Sequence, residues 1–321
     1  MTIDTKWIDG IQSSDLKEKL KIYLSDSVLT FDESKKMLIA AGQGGMNAAK
    51  LADLNTILAN ENEIFIDPYA KSLTGYVIKG NSANAYWWGG LDDSGKSALG
   101  NLSNSSSQGN ITKLVNKWFS GTDVPLPLVG GDAAAGISGD FKFSYANIEG
   151  NLYNDGVSAT DISQGSAGTC FYLATLGSIA NANPSLITKD FIRDNKDGTY
   201  GFRFFNVNGE KIYVTVDTNI AVDEDGNPSL ANPIGNELWV SLAEKAYAQL
   251  NSQANVLLRD TEGLNSYQAV EGGLASPLKQ ITGLNYTYYS GAYSNMGDTF
   301  STVTKYSKDP VTYKNEIIKL L

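Results

Sequence analysis

The stretch Asp161-Ile-Ser-Gln164-Gly165-Ser-Ala-Gly168-Thr169-Cys170-Phe171-Tyr-Leu-Ala174 holds the only cysteine of the chain. Gly168 breaks the backbone ahead of an apolar run, so a helix is expected to begin at Cys170. At a first helical turn, unpaired N–H groups and the helix dipole favour a thiolate over a thiol. Gln164, six residues earlier on the incoming loop, is able to fold back so that its amide and the Cys170 backbone N–H aim at one spot. Such a pair of donors is an oxyanion hole. A second reading stands level with this one: a free Cys is most often a small hydrophobe, and Cys170 then fills the core at the start of a buried helix.

Downstream, Cys170 to Ala182 aligns Leu173, Leu176 and Ala180 and stops at Asn183-Pro184, which predicts a helix. Tyr200 to Phe205 and Lys211 to Val216 are β-rich runs around Asn206-Val-Asn-Gly209-Glu210, a hairpin signal. Glu237 to Asn251 spaces Leu238, Leu242, Ala246 and Leu250 by four and predicts the strongest helix. Upstream, Asp15 to Tyr23, Asp32 to Ala41 and Met46 to Ala59 show helical spacing, the last two as antiparallel helices about the Gly42, Gly44, Gly45 break. Ile64 to Trp88 alternates poorly and is ambiguous; residues 89 to 110 read as loop and Ile111 to Phe119 as a short helix.

The 321 residues carry 25 Lys and Arg against 35 Asp and Glu, no His, and 42 % apolar side chains. That length suggests two domains, and the apolar content gives each a core. Without His, the usual His-based triads, H-E-x-x-H zinc hydrolases and His-ligated haem are impossible within these residues, and one Cys makes no intrachain disulfide. A net charge of -10 opposes phosphate backbones and anionic headgroups, so neither nucleic acid nor membrane is an expected partner. The N-terminus lacks a Sec-type pattern and no run of about 18 apolar residues occurs, which suggests a soluble protein, cytoplasmic or exported by a signal beyond Leu321.

Two further motifs carry less. Gly90-Leu-Asp-Asp-Ser-Gly95-Lys96-Ser97 fits the Walker A pattern by letter, yet the residues after Ser97 cannot hold the helix a phosphate loop opens, and Asp92 and Asp93 would face the nucleotide. Asp194-Asn-Lys-Asp197-Gly198 and Asp223-Glu-Asp225-Gly226-Asn227 lack EF-hand spacing and read as plain turns.

The Cys170 stretch resembles the cysteine motif of calpain-like (C2) peptidases, in which Gln, Gly and Gly-Asp-Cys-Trp recur at this spacing. The likeness continues through Asp194-Asn-Lys-Asp-Gly-Thr-Tyr200, Phe202 to Asn206 and Val214 to Asp217, similar to the family's strands. Asn236-Glu-Leu-Trp239 to Leu250 is similar to its Leu-Trp and Glu-Lys-Ala-Tyr helix, and Ser266 to Gly273 with Ile281-Thr-Gly283 to its Gly-Gly loop and Leu-Thr-Gly ending. The expected fold is α+β: periodicity and composition suggest a mainly helical accessory domain over 1–125 and a Gly/Ala-rich linker over 126–150, about which the resemblance says little, and the resemblance implies a papain-like, calpain-like peptidase domain over 151–321.

It further implies an endopeptidase acting on a polypeptide through a thioester acyl-enzyme. Cys170 would be the nucleophile, Gln164 the oxyanion donor, and Gly272 and Gly273 the backbone edge on which an extended substrate pairs. Glu244, Lys245 and Tyr247 read as packing and local ion-pair residues. No cofactor is required; calcium control occurs in animal calpains, and no EF-hand is present here to support it.

Thr169 and Phe171 stand where the family usually has Asp and Trp, leaving the helix start and its apolar anchor intact. The severe departure is the missing His, since the family needs a His base and an orienting Asn after the Leu-Thr-Gly segment. An unassisted thiol with a pKa of about 8.5 is only a few per cent ionised at neutral pH and lacks acid–base help worth roughly 10² to 10⁴. The chain alone is therefore expected to be nearly inert. Val311 to Leu321 reads as an amphipathic helix ending on two leucines, which suggests a truncated fragment bearing the Cys half of a split site. Low Cys content with Asp, Asn and Gly rich loops suggests a bacterial source. The alternatives are a catalytically inactive peptide-binding module using the same cleft, and another Cys-dependent acyl transfer such as transglutamination.

Overall fold

A computed structural model of the chain describes residues 6–284 except 66, 90, 92–94, 135, 137, 138, 140, 274 and 275. The expected helix over 311–321 and the aromatic stretch over 286–293 lie outside the described residues.

The N-terminal part is helical: α1 (Ser14–Tyr23), α2 (Phe31–Gly42), α3 (Ala48–Ala59), α4 (Glu61–Ile64), α5 (Pro68–Ile78) and α6 (Gln108–Val115), the last running on into a π-helical turn, Asn116–Ser120. A capping box between Thr30 and Glu33 starts α2, satisfying backbone donors that a helix leaves open at its first turn. The ambiguous 64–88 stretch contains α5. Asp67 caps it by accepting the Tyr69 N–H at 3.0 Å, Pro68 occupies its first turn, and Tyr69, Leu73 and Val77 point into the core. Leu20, Met37, Ile57, Leu73, Leu114 and Phe119 belong to one apolar cluster beneath these helices.

A short ladder, β1 (Tyr86–Trp87) against β2 (Ser97–Ala98), follows α5. Ser97 thus opens a strand where a phosphate loop would open a helix. The Lys96 ammonium lies 3.8 Å from the Tyr86 ring centroid and 4.5 Å from that of Trp88.

Residues 126–150, expected as a linker, carry three strands. β3 (Leu128–Val129) pairs with β4 (Phe141–Lys142), and β5 (Ser144–Asn147) pairs antiparallel with β9 (Asn219–Val222). The main sheet runs β6 (Ile192–Asp194), β7 (Thr199–Phe205), β8 (Lys211–Asp217), all antiparallel, with β7 and β8 forming the expected hairpin. The helices of this part are α7 (Cys170–Ala182), α8 (Trp239–Leu250) and α9 (Pro277–Thr282). All 12 residues of α8 are buried, so this helix runs through the core rather than presenting one apolar face. Helices segregated from antiparallel strands make the class α+β.

The two parts meet at the hairpin. Tyr69 on α5 shares a 2.6 Å hydroxyl–hydroxyl hydrogen bond with Thr215 on β8. Gly201 on β7 leaves room for the ring, since a Cβ there would lie 2.6 Å from its Cζ. In the two acidic turns the carboxylates accept their own turn amides: Asp194 that of Lys196 at 2.7 Å, and Asp223 those of Asp225 and Asn227 at 3.0 and 2.9 Å. Among the described residues no helix is long and apolar enough to cross a membrane.

Candidate active site

α7 starts at Cys170 and is anchored by Tyr172, Leu173, Leu176 and Ile179, all buried, while Cys170 itself is exposed. Exposure excludes the reading of Cys170 as core filler. Its backbone N–H donates to no described residue, as expected for an open donor at a helix start.

The loop leading to Cys170 is held from three directions. On the first, Gly165 lies against the Ser229–Leu230 backbone: a Cβ at 165 would sit 1.8 Å from the Leu230 carbonyl oxygen, so only glycine fits. The Ser166 N–H donates to the Ser229 carbonyl beside it at 2.9 Å.

On the second, Thr169, the residue flanking α7, leaves the helix end uncapped and turns its hydroxyl to the buried carboxylate of Glu244 on α8. The other oxygen of Glu244 accepts the Ala231 N–H at 2.7 Å. Burial raises the Glu244 pKa to about 7, against the pull of the Thr169 and Ala231 hydrogen bonds and with a smaller push from Glu271. Glu244 is therefore not the local ion-pair residue that the helical pattern suggested; it is a hydrogen-bond acceptor beneath the nucleophile's loop.

On the third, Glu271 takes the Gly168 N–H on Oε1 at 2.9 Å and the Gly130 N–H on Oε2 at 2.8 Å. The backbone closes the same contact in reverse, with the Gly272 N–H donating to the Gly168 carbonyl at 2.8 Å. The Gly272-Gly273 loop is thereby tied to the Cys170 loop. Gly273 lies against the Phe171 ring, where a Cβ would come within 2.6 Å, whereas Gly272 opens to empty space at φ +65°. Phe171 meets Tyr247 edge-on at 6.1 Å, and the Arg259 guanidinium lies over its ring at 5.6 Å while donating to the Glu271 carbonyl at 3.1 and 3.3 Å.

Gln164 is exposed, and its amide Nε2 donates to the Ala167 carbonyl at 3.0 Å, within its own loop. Lys245 and Tyr247 serve the packing expected of them. Lys245 pairs with Asp217 and donates to the Asp217 and Asn219 carbonyls at 3.2 and 2.6 Å, and Tyr247 stacks on Tyr172 at 4.1 Å. Asp161 accepts the Trp239 indole N–H at 3.0 Å, fixing the far end of the loop to the start of α8. Sequence reading missed Glu271, whose only local signal is its place next to Gly272. A cavity of about 310 Å³ bounded by Gly131, Asp132, Arg259 and Glu271 adjoins this site, whereas a larger one of about 730 Å³ near Tyr69 and Arg203 touches none of Cys170, Gln164, Gly272 and Gly273. Among the described residues no three His, Cys, Asp or Glu side chains converge on a possible metal position.

Residues 144–311 match the calpain family cysteine protease domain. A calpain-type cysteine protease ADL1 from Oryza sativa subsp. japonica is 36% identical over 137 residues, 41% of this chain and 6% of the rice protein. Calpain-8 from Rattus norvegicus is 32% identical over 125 residues, 37% of this chain and 17% of its own length, and the calpain-1 catalytic subunit from Bos taurus is 31% identical over 127 residues, 38% and 16%. The chain thus spans a small part of these relatives' length, and their plant and animal sources lend no support to the expectation of a bacterial one.

Proposed function

The chain belongs to the calpain family of cysteine proteases, and from that we propose that it is the Cys-bearing, papain-like part of an endopeptidase acting on extended polypeptide. The observation that carries this reading is the exposed Cys170 at the first turn of α7, on a loop tied to the Gly272-Gly273 backbone.

In the proposed reaction a general base takes the Cys170 thiol proton, the thiolate attacks the scissile carbonyl and the oxygen takes the negative charge; collapse of the adduct breaks the C–N bond and leaves a thioester, the departing amine taking up the proton the base had removed. Water then releases the acid. The open Cys170 N–H is one oxyanion donor, and Gln164 supplies the second once its amide leaves the Ala167 carbonyl. Gly272 and Gly273, bare of side chains, receive the substrate backbone. The 321 residues contain no His, so in this reading a His general base would have to be supplied to the site from outside them.

The test is cleavage of an unstructured polypeptide by the protein joined to the segment that supplies the base, with and without Cys170→Ala. Cleavage lost in the variant supports the reading. Peptide binding that survives Cys170→Ala, with no cleavage by either form, assigns the cleft to an inactive peptide-binding module instead. Transfer of an acyl group to an added amine in place of hydrolysis would assign it to transglutamination.

A further inference from the structure

We propose that Glu271 is a positioning residue that sets the Cys170 loop in register with the Gly272-Gly273 edge. The inference deepens the endopeptidase reading and rests on it.

Gly168 and residues 271–272 exchange hydrogen bonds in both directions: the Gly168 N–H reaches Glu271 Oε1 at 2.9 Å, and the Gly272 N–H reaches the Gly168 carbonyl at 2.8 Å. Gly168 lies two residues before the nucleophile, and Glu271 immediately precedes the expected substrate edge. Gly168, bonded to both Glu271 and Gly272, therefore fixes the distance between the attacking sulfur and any backbone laid along Gly272 and Gly273. The second carboxylate oxygen, bonded to the Gly130 N–H at 2.8 Å, restrains the side chain from rotating, and the Arg259 guanidinium donates to the Glu271 carbonyl. A carboxylate suits this task because it accepts two N–H groups at once, which an amide in the same place cannot.

The expected cost of losing the clamp follows from reaction geometry. Attack needs the reacting atoms about 3 to 3.5 Å apart, and a misplacement of about 1 Å slows a step by roughly 10². Such slowing applies only to a reagent that docks through its own backbone. A small reagent reaches an exposed thiol without being positioned.

The experiment compares alkylation of Cys170 by a peptidyl chloromethyl ketone and by chloroacetone, which carry the same reactive group, in wild type, Glu271→Gln and Glu271→Ala. Both are run near pH 9, where an ordinary thiol is largely ionised. Circular dichroism and an unchanged chloroacetone rate establish that each variant is folded with a normal thiol. The expected result is a peptidyl-to-chloroacetone rate ratio far above one in the wild type, about 10- to 100-fold lower in Glu271→Ala and several-fold lower in Glu271→Gln. A merely structural Glu271 would lower the melting temperature and leave the ratio unmoved. A high ratio that is equal in all three proteins overturns the positioning role and leaves the endopeptidase reading standing. A wild-type ratio near one means that no substrate edge is used; the endopeptidase reading then fails and the inference with it.

Discussion

The hydroxyl of Thr169 donates to the carboxylate of Glu244, 75 residues downstream, so the residue just before Cys170 is carried on the central helix α8. Both side chains are buried, Thr169 at 0% and Glu244 at 1% exposure, which gives the contact a pH signature.

Glu244 ionises near 4.5 when unfolded and near 7 in the native protein. Between those values the native state binds more protons, so its stability falls as pH rises from about 4.5 to about 7 and is level above, a loss of about 3 kcal/mol. Glu244→Gln imitates the protonated acid, donating to Thr169 and accepting from Ala231. Urea midpoints measured across that window are expected to slope downward in wild type relative to Glu244→Gln, with the variant the more stable above pH 7. Glu244→Ala, which orphans the Ala231 N–H and carries no titrating group there, is expected to lose about 2 to 4 kcal/mol below about pH 4.5, with the deficit shrinking as the pH rises to about 7. Parallel wild-type and Gln curves would remove the assignment.

Gly272 and Gly273 separate by mechanism. A Cβ at 273 would fall within 2.6 to 2.9 Å of three Phe171 ring carbons, so Gly273→Ala must swing the ring that adjoins Cys170. A Cβ at 272 meets nothing within 4 Å, and Gly272→Ala carries only the strain of φ +65°, about 1 to 2 kcal/mol. Peptidyl labelling of Cys170 is expected to slow far more in Gly273→Ala, and Phe171→Leu added to it should recover part of the rate. Equal slowing in both single variants would show that the Phe171 contact is not what counts.

These contacts explain what the sequence made legible. The Gly168 break and the apolar run after it located α7 to the residue, and the turn chemistry of 206–210 located the β7–β8 hairpin, because both signals are local. α5 was legible in principle: Asp67-Pro68 is a capped helix start, and Tyr69, Ala70, Leu73, Thr74, Val77 and Ile78 keep helical spacing, but the aromatic and β-branched content of the neighbourhood masked it. Glu244 and Glu271 were out of reach, since their partners lie 75 and 103 residues away and nothing in a helical or Gly-Gly pattern names an acceptor for them. The strands inside 126–150 pair with each other only in pieces, and β5 finds its partner at β9, which a Gly/Ala-rich composition cannot announce.

Lys245 and Asp217 form a buried pair in which the ammonium also holds the Asp217 and Asn219 carbonyls, where β8 passes into β9. Burial pulls the Lys245 pKa down while Asp217 pulls it up. Lys245→Ala strands a buried carboxylate and two carbonyls and is expected to cost about 3 to 5 kcal/mol in urea unfolding. Adding Asp217→Asn should restore part of that, because the stranded charge is gone. A double variant no better than the single would mean that packing, and not the charge, sets the loss.

Gln164 gives the sharpest contrast between resting and reacting states. Its amide is exposed and bonded to the Ala167 carbonyl, so Gln164→Ala is expected to change the melting free energy by no more than about 0.5 kcal/mol and to leave chloroacetone alkylation of Cys170 unchanged. A peptidyl aldehyde adds Cys170 sulfur to its carbonyl carbon and puts charge on the oxygen, the moment at which a second donor matters. Loss of an oxyanion donor costs about 10²-fold or more in related chemistry, so aldehyde affinity is expected to fall at least about tenfold in the variant. An aldehyde that binds Gln164→Ala as tightly as wild type would leave the Cys170 N–H as the sole donor of the pair and the Gln164 amide where the resting site holds it, on Ala167.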